Sequence, residues 1–185
     1  MNKHDIDLIS SKLSVLLKQP LCSVNRGGGS VFIGFGKLVE KDSAYFTPEG
    51  KAAVRKVKVS QYALHIECSS RFLCGNETVL AKRDMFIPST ITENNPDFNW
   101  DDFNWDIKGN NKFDEISNLY FSKEPFNFIV KRIKVSQFGD LKITFENDFV
   151  LEVFIDISGN EECWRFFEIG SENHIIISGQ GLEKD

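Results

Sequence analysis

Apolar positions along this chain recur first at helical and then at strand spacing. Ile6, Ile9, Leu13, Leu16 and Leu17 follow the helical period, with Asp5 placed to cap the start and Pro20 soon after Lys18 to stop it. The pattern predicts an N-terminal helix of about three or four turns. Arg26-Gly27-Gly28-Gly29-Ser30 then leads into the strand-like stretch from Val31 to Glu40. A phosphate-cradling loop follows a strand, opens a helix and ends in Lys and then Ser or Thr. Here the order is different, and the segment reads as a flexible loop.

From Val54 onward the period is two. Lys56 to Gln61, Ala63 to Phe72 and, after a turn at Gly75-Asn76, Thr78 to Pro88 read as successive short strands. The C-terminal third alternates more strictly. Ile133 and Val135 share a face, as do Leu141, Ile143 and Phe145, then Phe149, Leu151, Val153 and Ile155, with turns at Phe138-Gly139 and Asn147-Asp148. This predicts an antiparallel meander with one buried face. Cys163 to Ile169 and His174 to Gly181 supply two more strands.

The two β regions also share sequence. Lys56-Val57-Lys58-Val59-Ser60-Gln61-Tyr62 matches Arg132-Ile133-Lys134-Val135-Ser136-Gln137-Phe138, and after a slip at Gly139, Leu64 to Glu67 matches Leu141 to Thr144. A duplication would give two sheets of one sandwich or half-barrel, or two small sheets side by side. The expected fold is α+β, mostly antiparallel β, in one compact domain over residues 1–185. Region one spans about 30–88, an acidic aromatic connection 89–111, and region two about 126–182. In between, Asn111 or Asp114 caps a short internal helix whose Ile116, Leu119 and Tyr120 lie on one side and which Pro125 ends.

The connection contains a tandem repeat: Asp97-Phe98-Asn99-Trp100-Asp101 is followed at once by Asp102-Phe103-Asn104-Trp105-Asp106. One reading makes Phe103 and Trp105 anchors that pin the loop to the sheet. The other makes Trp100 and Trp105 exposed contact residues, with Asp97, Asp101, Asp102 and Asp106 matching a basic partner. The aspartates lack the alternating ligands and central glycine of a calcium loop, so no metal is expected there.

Composition narrows the partner. The chain has 185 residues with 22 Lys and Arg against 27 Asp and Glu, a net charge of −5. Nucleic-acid binding draws on clustered Lys and Arg, so nucleic acid and membrane are not expected as partners, and a basic protein is. Residues 1–20 contain Asp5 and Asp7 and lack an unbroken apolar run, which predicts a cytoplasmic protein. Cys22, Cys68, Cys74 and Cys163 are too scattered for a disulfide framework and are expected as reduced thiols.

No constellation demands catalysis, and no cofactor is implied. His65 and His174 lie in strand patterns, where alternation points His65 and Cys68 to opposite faces. Neither Cys68 nor Cys163 stands at a helix start that would activate it. Arg71 and Arg165 hold similar places in the two suspected copies, each suited to gripping a carboxylate or carbonyls. A cleft between the β regions, lined by His65, Glu67, Arg71 and Arg165, is the alternative site for a small ligand or a reaction. A homodimer through exposed strand edges is a third possibility.

The residues Leu64-His65-Ile66-Glu67-Cys68 with Arg71, then Phe103-Asn104-Trp105-Asp106 with Phe113-Asp114, and Trp164-Arg165 ahead of His174, resemble a family of uncharacterised bacterial cytoplasmic proteins. Members of that family have Pro-Trp where this chain has Ser69-Ser70. The resemblance implies no established activity. Small acidic bacterial proteins of this kind resemble, in role, the immunity proteins of toxin and immunity pairs. An immunity protein needs a rigid acidic surface and no catalytic residue, and the expectation is a non-catalytic protein that masks a cognate basic toxin.

Overall fold

The computed structural model describes residues 1–122 and 127–183 of the chain. Its first helix, α1 (Lys3–Leu13), is capped by Asn2, whose side-chain oxygen accepts the Asp5 amide at 2.9 Å. Asp5 is not the cap: it stands buried in the first turn, where its charge suits the positive end of the helix. Ile9 and Leu13, and Leu16 in the 3-10 turn Ser14–Leu16, carry the apolar stripe into the core, while Leu17 stays exposed.

The glycine-rich segment is a turn. β1 (Leu21–Gly27) and β2 (Ser30–Phe46) pair with Gly27 opposite Ser30, and Gly28 takes a φ of 54°. Glycine adopts that left-handed conformation without a Cβ penalty. The expected flexible loop is therefore a tight hairpin, and Arg26 belongs to a strand.

β3 (Ala52–Ile66) pairs with β2, and β4 (Ser69–Cys74) and β5 (Glu77–Ala81) form the next hairpin. After α2 (Thr90–Glu93) and α3 (Lys112–Phe121) come β6 (Val130–Val135), β7 (Leu141–Phe145), β8 (Phe149–Phe154), β9 (Glu162–Glu168), β10 (Ile175–Ser178) and β11 (Gly181–Leu182). One antiparallel sheet has the order β1-β2-β3-β9-β10-β11 and the other β5-β4-β8-β7-β6. The fold is α+β and mostly antiparallel β, and each sheet draws on both halves of the chain.

The chain changes sheets at two neighbouring points. The Glu67 and Cys68 amides, in the bend from β3 to β4, both donate to the Cys163 carbonyl, at 2.8 and 3.1 Å. The Ser69 amide donates to the Asp156 carboxylate, between β8 and β9, at 2.9 Å. At the other margin Pro20 bridges Ile129 and the Leu21 amide donates to the Phe128 carbonyl at 2.9 Å, tying the edge strands β1 and β6 together.

Between the sheets lies one buried cluster. Ile33, Phe35, Leu64, Ile66 and Ile177 face Phe72, Leu80, Ile143, Phe145, Leu151 and Val153, with α1 adding Ile9 and Leu13. Trp164 is fully buried, and its indole N–H is satisfied by the Gly139 carbonyl at 2.9 Å. Burial of this much aliphatic and aromatic surface is the main stabilising term.

The sequence likeness between Lys56–Tyr62 and Arg132–Phe138 does not extend to structure. The first segment lies inside β3, which runs unbroken to Ile66, whereas the second breaks into a turn after Val135. Gly139, with a φ of 97°, and the Ser136 hydroxyl, which accepts the Asp140 amide at 3.1 Å, make that turn. Ala63 stands where Gly139 does and continues the strand.

Asn111 caps α3 by accepting the Asp114 amide at 2.8 Å. The helix buries Phe113, Ser117 and Phe121, while Leu119 and Tyr120, grouped with Ile116 on one side by the sequence pattern, are exposed. Contacts orient it: the Ser117 hydroxyl donates to the Val24 carbonyl, and the Phe121 ring packs 4.7 Å from Phe72. Pro125, the expected stop, and residue 126, the expected start of region two, lie outside the described residues. No helix among the described residues is long and apolar enough to cross a membrane.

Candidate functional site

The acidic aromatic connection leaves and re-enters the fold at one point. Pro88 bridges Asn111, the Ser89 amide donates to the Asn110 carbonyl at 2.7 Å, and the Lys112 amide to the Ile87 carbonyl at 2.8 Å. The result is a loop closed at its neck. Within the neck Ser89 is buried and caps α2, accepting the Thr92 amide at 3.3 Å. Asn111, fully buried, donates to the Trp105 carbonyl at 2.8 Å.

The two repeats share one asparagine turn, to which the first adds a 3-10 turn at Trp100–Asp102. Asn99 accepts the Asp101 amide at 3.1 Å and Asn104 the Asp106 amide at 3.0 Å, the same asparagine turn twice. Their surroundings differ. Trp105 is half-buried against the core and meets Phe86 edge-on at 5.0 Å, with the Arg26 guanidinium 5.8 Å from its ring centre. Arg26 also donates to the Asp106 carboxylate and to the Asp106 and Ile107 carbonyls, each at 3.3 Å. Its Nε and Nη2 grip both oxygens of Asp114 at 2.9 Å, in a pair whose side chains are only 6% and 9% exposed. Planar two-pronged contact of this kind fixes geometry as well as charge.

The first repeat faces solvent. Phe98, Trp100 and Phe103 form an edge-on triangle, with ring centres 5.4, 5.8 and 6.1 Å apart. Its two phenylalanines are half-buried, whereas Trp100 is 61% exposed. Asp97, Asp101 and Asp102 around it are exposed, and Asp102 accepts the Asn99 side-chain amide at 3.1 Å. Of the six candidate residues, the structure thus brings Asp97, Trp100, Asp101 and Asp102 to one solvent-facing loop. Trp105 and Asp106 are instead engaged within the chain, because Arg26 and Asn111 lie beneath the second repeat.

A second group of polar side chains gathers where the chain changes sheets. His65, Glu67 and Arg165 line an open depression of about 490 Å³, together with Asp156, Glu161 and Glu162. The His65 ring stacks on Phe32 at 4.4 Å, and its Nε2 stands 2.9 Å from Glu67 but out of line for a hydrogen bond. Arg71 is not in this depression. It grips Glu152 through Nε and Nη2 at 2.9 and 2.8 Å, in the adjacent groove, while Arg165 pairs with Glu162, so each arginine holds a carboxylate.

Cys68 borders the same depression as His65, because the bend at Glu67 ends the alternation that would separate them. Burial pushes the Cys68 thiol well above its ordinary range and raises the Cys163 thiol as well, which favours the thiol over the thiolate in both. His174 is satisfied, its Nε2 3.1 Å from the Ser171 carbonyl and its ring stacked on Phe167 at 4.5 Å. No three His, Cys, Asp or Glu side chains among the described residues are grouped to hold a metal ion.

Known proteins offer no match: no family model, no curated protein and no solved structure is similar to this chain. The function rests on the geometry.

The residue that sequence patterns missed is Arg26. It is 80 positions from Asp106 and 88 from Asp114. One signal was present: alternation places Arg26 on the face of Val24, which is buried, and an inward arginine requires a carboxylate.

Proposed function

We propose that the protein is a non-catalytic binding protein, most concretely an immunity protein that neutralises a basic bacterial toxin by masking its active site or substrate surface. The observation that carries this reading is Trp100, 61% exposed on a loop that a buried ion pair holds in place. An indole fixed before binding loses little conformational freedom on binding, and buried tryptophans dominate many interfaces. Asp97, Asp101 and Asp102 surround it, and a net charge of −5 steers a basic surface toward it. Ile91 and Ile107 of the same loop are also exposed, at 84% and 51%. In this role the protein works in the cytoplasm, without cofactor, nucleic acid or membrane.

The test is recovery of the tagged, full-length protein from its native cells at low and high salt. One basic protein is expected to co-purify at low salt and to fall by about tenfold or more with Trp100→Ala, the loss typical of a central contact residue. Recovery of the protein strictly alone would count against the reading.

The convergence of His65, Glu67 and Arg165 supports a second reading, a small polar ligand in the depression between the sheets. A thermal-shift screen of small polar metabolites separates the two. Only the second reading expects a stabilising hit that His65→Ala abolishes.

A further inference from the structure

Past the body of the fold, β2 and β3 continue as a ribbon of their own. β1 pairs with β2 only as far as Phe35, and β9 with β3 only as far as Tyr62, whereas β2 and β3 stay paired from Leu38 opposite Ser60 out to Phe46 opposite Ala52. From Lys37 to Ser60 no residue is buried. Among the described residues no other strand pairs with either edge over this length. Phe46 and Val54 are 77% and 66% exposed, and the register places them on one face with Ala44 and Ala52. An isolated two-stranded ribbon is marginal in water, and open edges are templates for further pairing.

We propose that this ribbon is a dimerisation arm, in which the β2 edges of two copies pair antiparallel about a twofold axis at Ser43. The assembly is a four-stranded sheet with the two β3 strands outermost.

Charge selects the edge. Between Ala52 and Ser60 the β3 edge carries Arg55, Lys56 and Lys58 and no acidic residue, so a twofold axis anywhere from Arg55 to Lys58 sets cation against cation, and an axis at Val54 overlaps only Ala52 to Lys56. The β2 edge carries Glu40, Lys41 and Asp42, of both signs. Charge also selects the register. In a twofold antiparallel pair, opposed residues are mirror images about the axis. An axis at Lys41 opposes Lys41 to itself and Glu40 to Asp42, and an axis at Asp42 opposes Asp42 to itself. At Ser43 the opposed pairs are Asp42 with Ala44, Lys41 with Tyr45 and Glu40 with Phe46, and no like charges meet. Axes nearer the tip shorten the overlap. The Tyr45 ring, 5.4 Å from the Arg55 guanidinium of its own copy, also gains the partner copy's lysine at position 41.

Because the ribbon contains no buried residue, substitutions there leave the body folded and the test clean. Sedimentation equilibrium of the full-length protein across the micromolar range is expected to show monomer and dimer in exchange. Ser43→Asp and Ser43→Lys each place like charges face to face at the axis and are expected to weaken the dimer about tenfold, equal to about 1.4 kcal/mol. Mixing the two variants restores a heterodimer. On mild oxidation Ser43→Cys links to its own copy, since either kind of opposed pair lies within disulfide reach, whereas Lys56→Cys on the outer edge does not. A monomer at every concentration, a dimer indifferent to Ser43→Asp, or preferential linking through Lys56→Cys would overturn the proposal. All of these use the purified protein alone, so their failure leaves the reading of the Trp100 loop standing.

Discussion

Asp97–Asp101 and Asp102–Asp106 have the same five residues and the same asparagine turn, yet one faces water and the other is bound to the body. Beneath the second repeat lie Arg26 on β1 and Asn111 at the cap of α3, which take up the Trp105 carbonyl, the Asp106 carboxylate and the indole face. In the first, Trp100 packs edge-on against Phe98 of its own repeat and Phe103 of the second. Identical local propensity therefore gave one turn type twice, and tertiary partners divided the labour. The second copy anchors and the first is presented.

The contrast breaks most severely at Arg26. Arg26→Ala leaves the Asp114 carboxylate buried without its counter-charge and is expected to destabilise the protein by about 3–5 kcal/mol, measurable by urea unfolding. Arg26→Lys keeps the charge but loses the two-pronged grip, and should fall between.

Next in size is the pair of tryptophans. Trp105→Ala removes a half-buried indole packed on Phe86 and should cost about 2–3 kcal/mol, less than a fully buried aromatic. Trp100→Ala removes only ring contacts within the triangle and should cost about 1 kcal/mol or less. Equal losses for the two substitutions would erase the distinction between anchor and presented repeat.

A third arginine–carboxylate site sets the scale for exposure. Arg71 is 44% exposed, where Arg26 is 6%, and Arg71→Ala should cost no more than about 1 kcal/mol. Its partner Glu152 also shows the acid limb. Burial alone would raise that carboxyl, but hydrogen bonds from Lys142 and Arg71 outweigh it and hold it below the usual glutamate range. A carboxyl depressed on folding contributes stability that is present above the unfolded value and lost as pH falls through the folded one. Glu152→Gln should therefore reduce the loss of stability below about pH 4.3, the ordinary glutamate range, and leave the profile near neutrality parallel to the parent's. An unchanged acid limb would show that Glu152 is not held this way.

How much of this the sequence announced depends on distance along the chain. The meander of β6, β7 and β8 was legible because alternation and turn residues are local: Leu141, Ile143, Phe145, Leu151 and Val153 are buried, and Gly139 and Asp148 take the positive φ their turns need. The inner face of α3 was not, because Ser117 turns inward for a hydrogen bond to Val24 that no apolar count anticipates. The grip of Arg26 on Asp114 joins residues 88 positions apart, and nothing near either one announces the other. Alternation foretold strands at Val31–Glu40 and from Lys56 onward, but not that both would extend to Phe46 and Ala52 as a ribbon without neighbours, since pairing is decided by where other strands end. Within the candidate site, Trp100 and its aspartates were legible as a group. Whether Trp105 would be presented beside it or anchor the loop was not.

The central claim is that Trp100 is held out for a partner while Trp105 holds the loop in. The most direct measurement is partner recovery from native cells with Trp100→Ala and Trp105→Ala proteins, each normalised to its folded fraction. Trp100→Ala is expected to lose no more than about 1 kcal/mol of stability yet to lose the basic partner, and folded Trp105→Ala is expected to retain more of it. Full recovery of the partner by Trp100→Ala would contradict it.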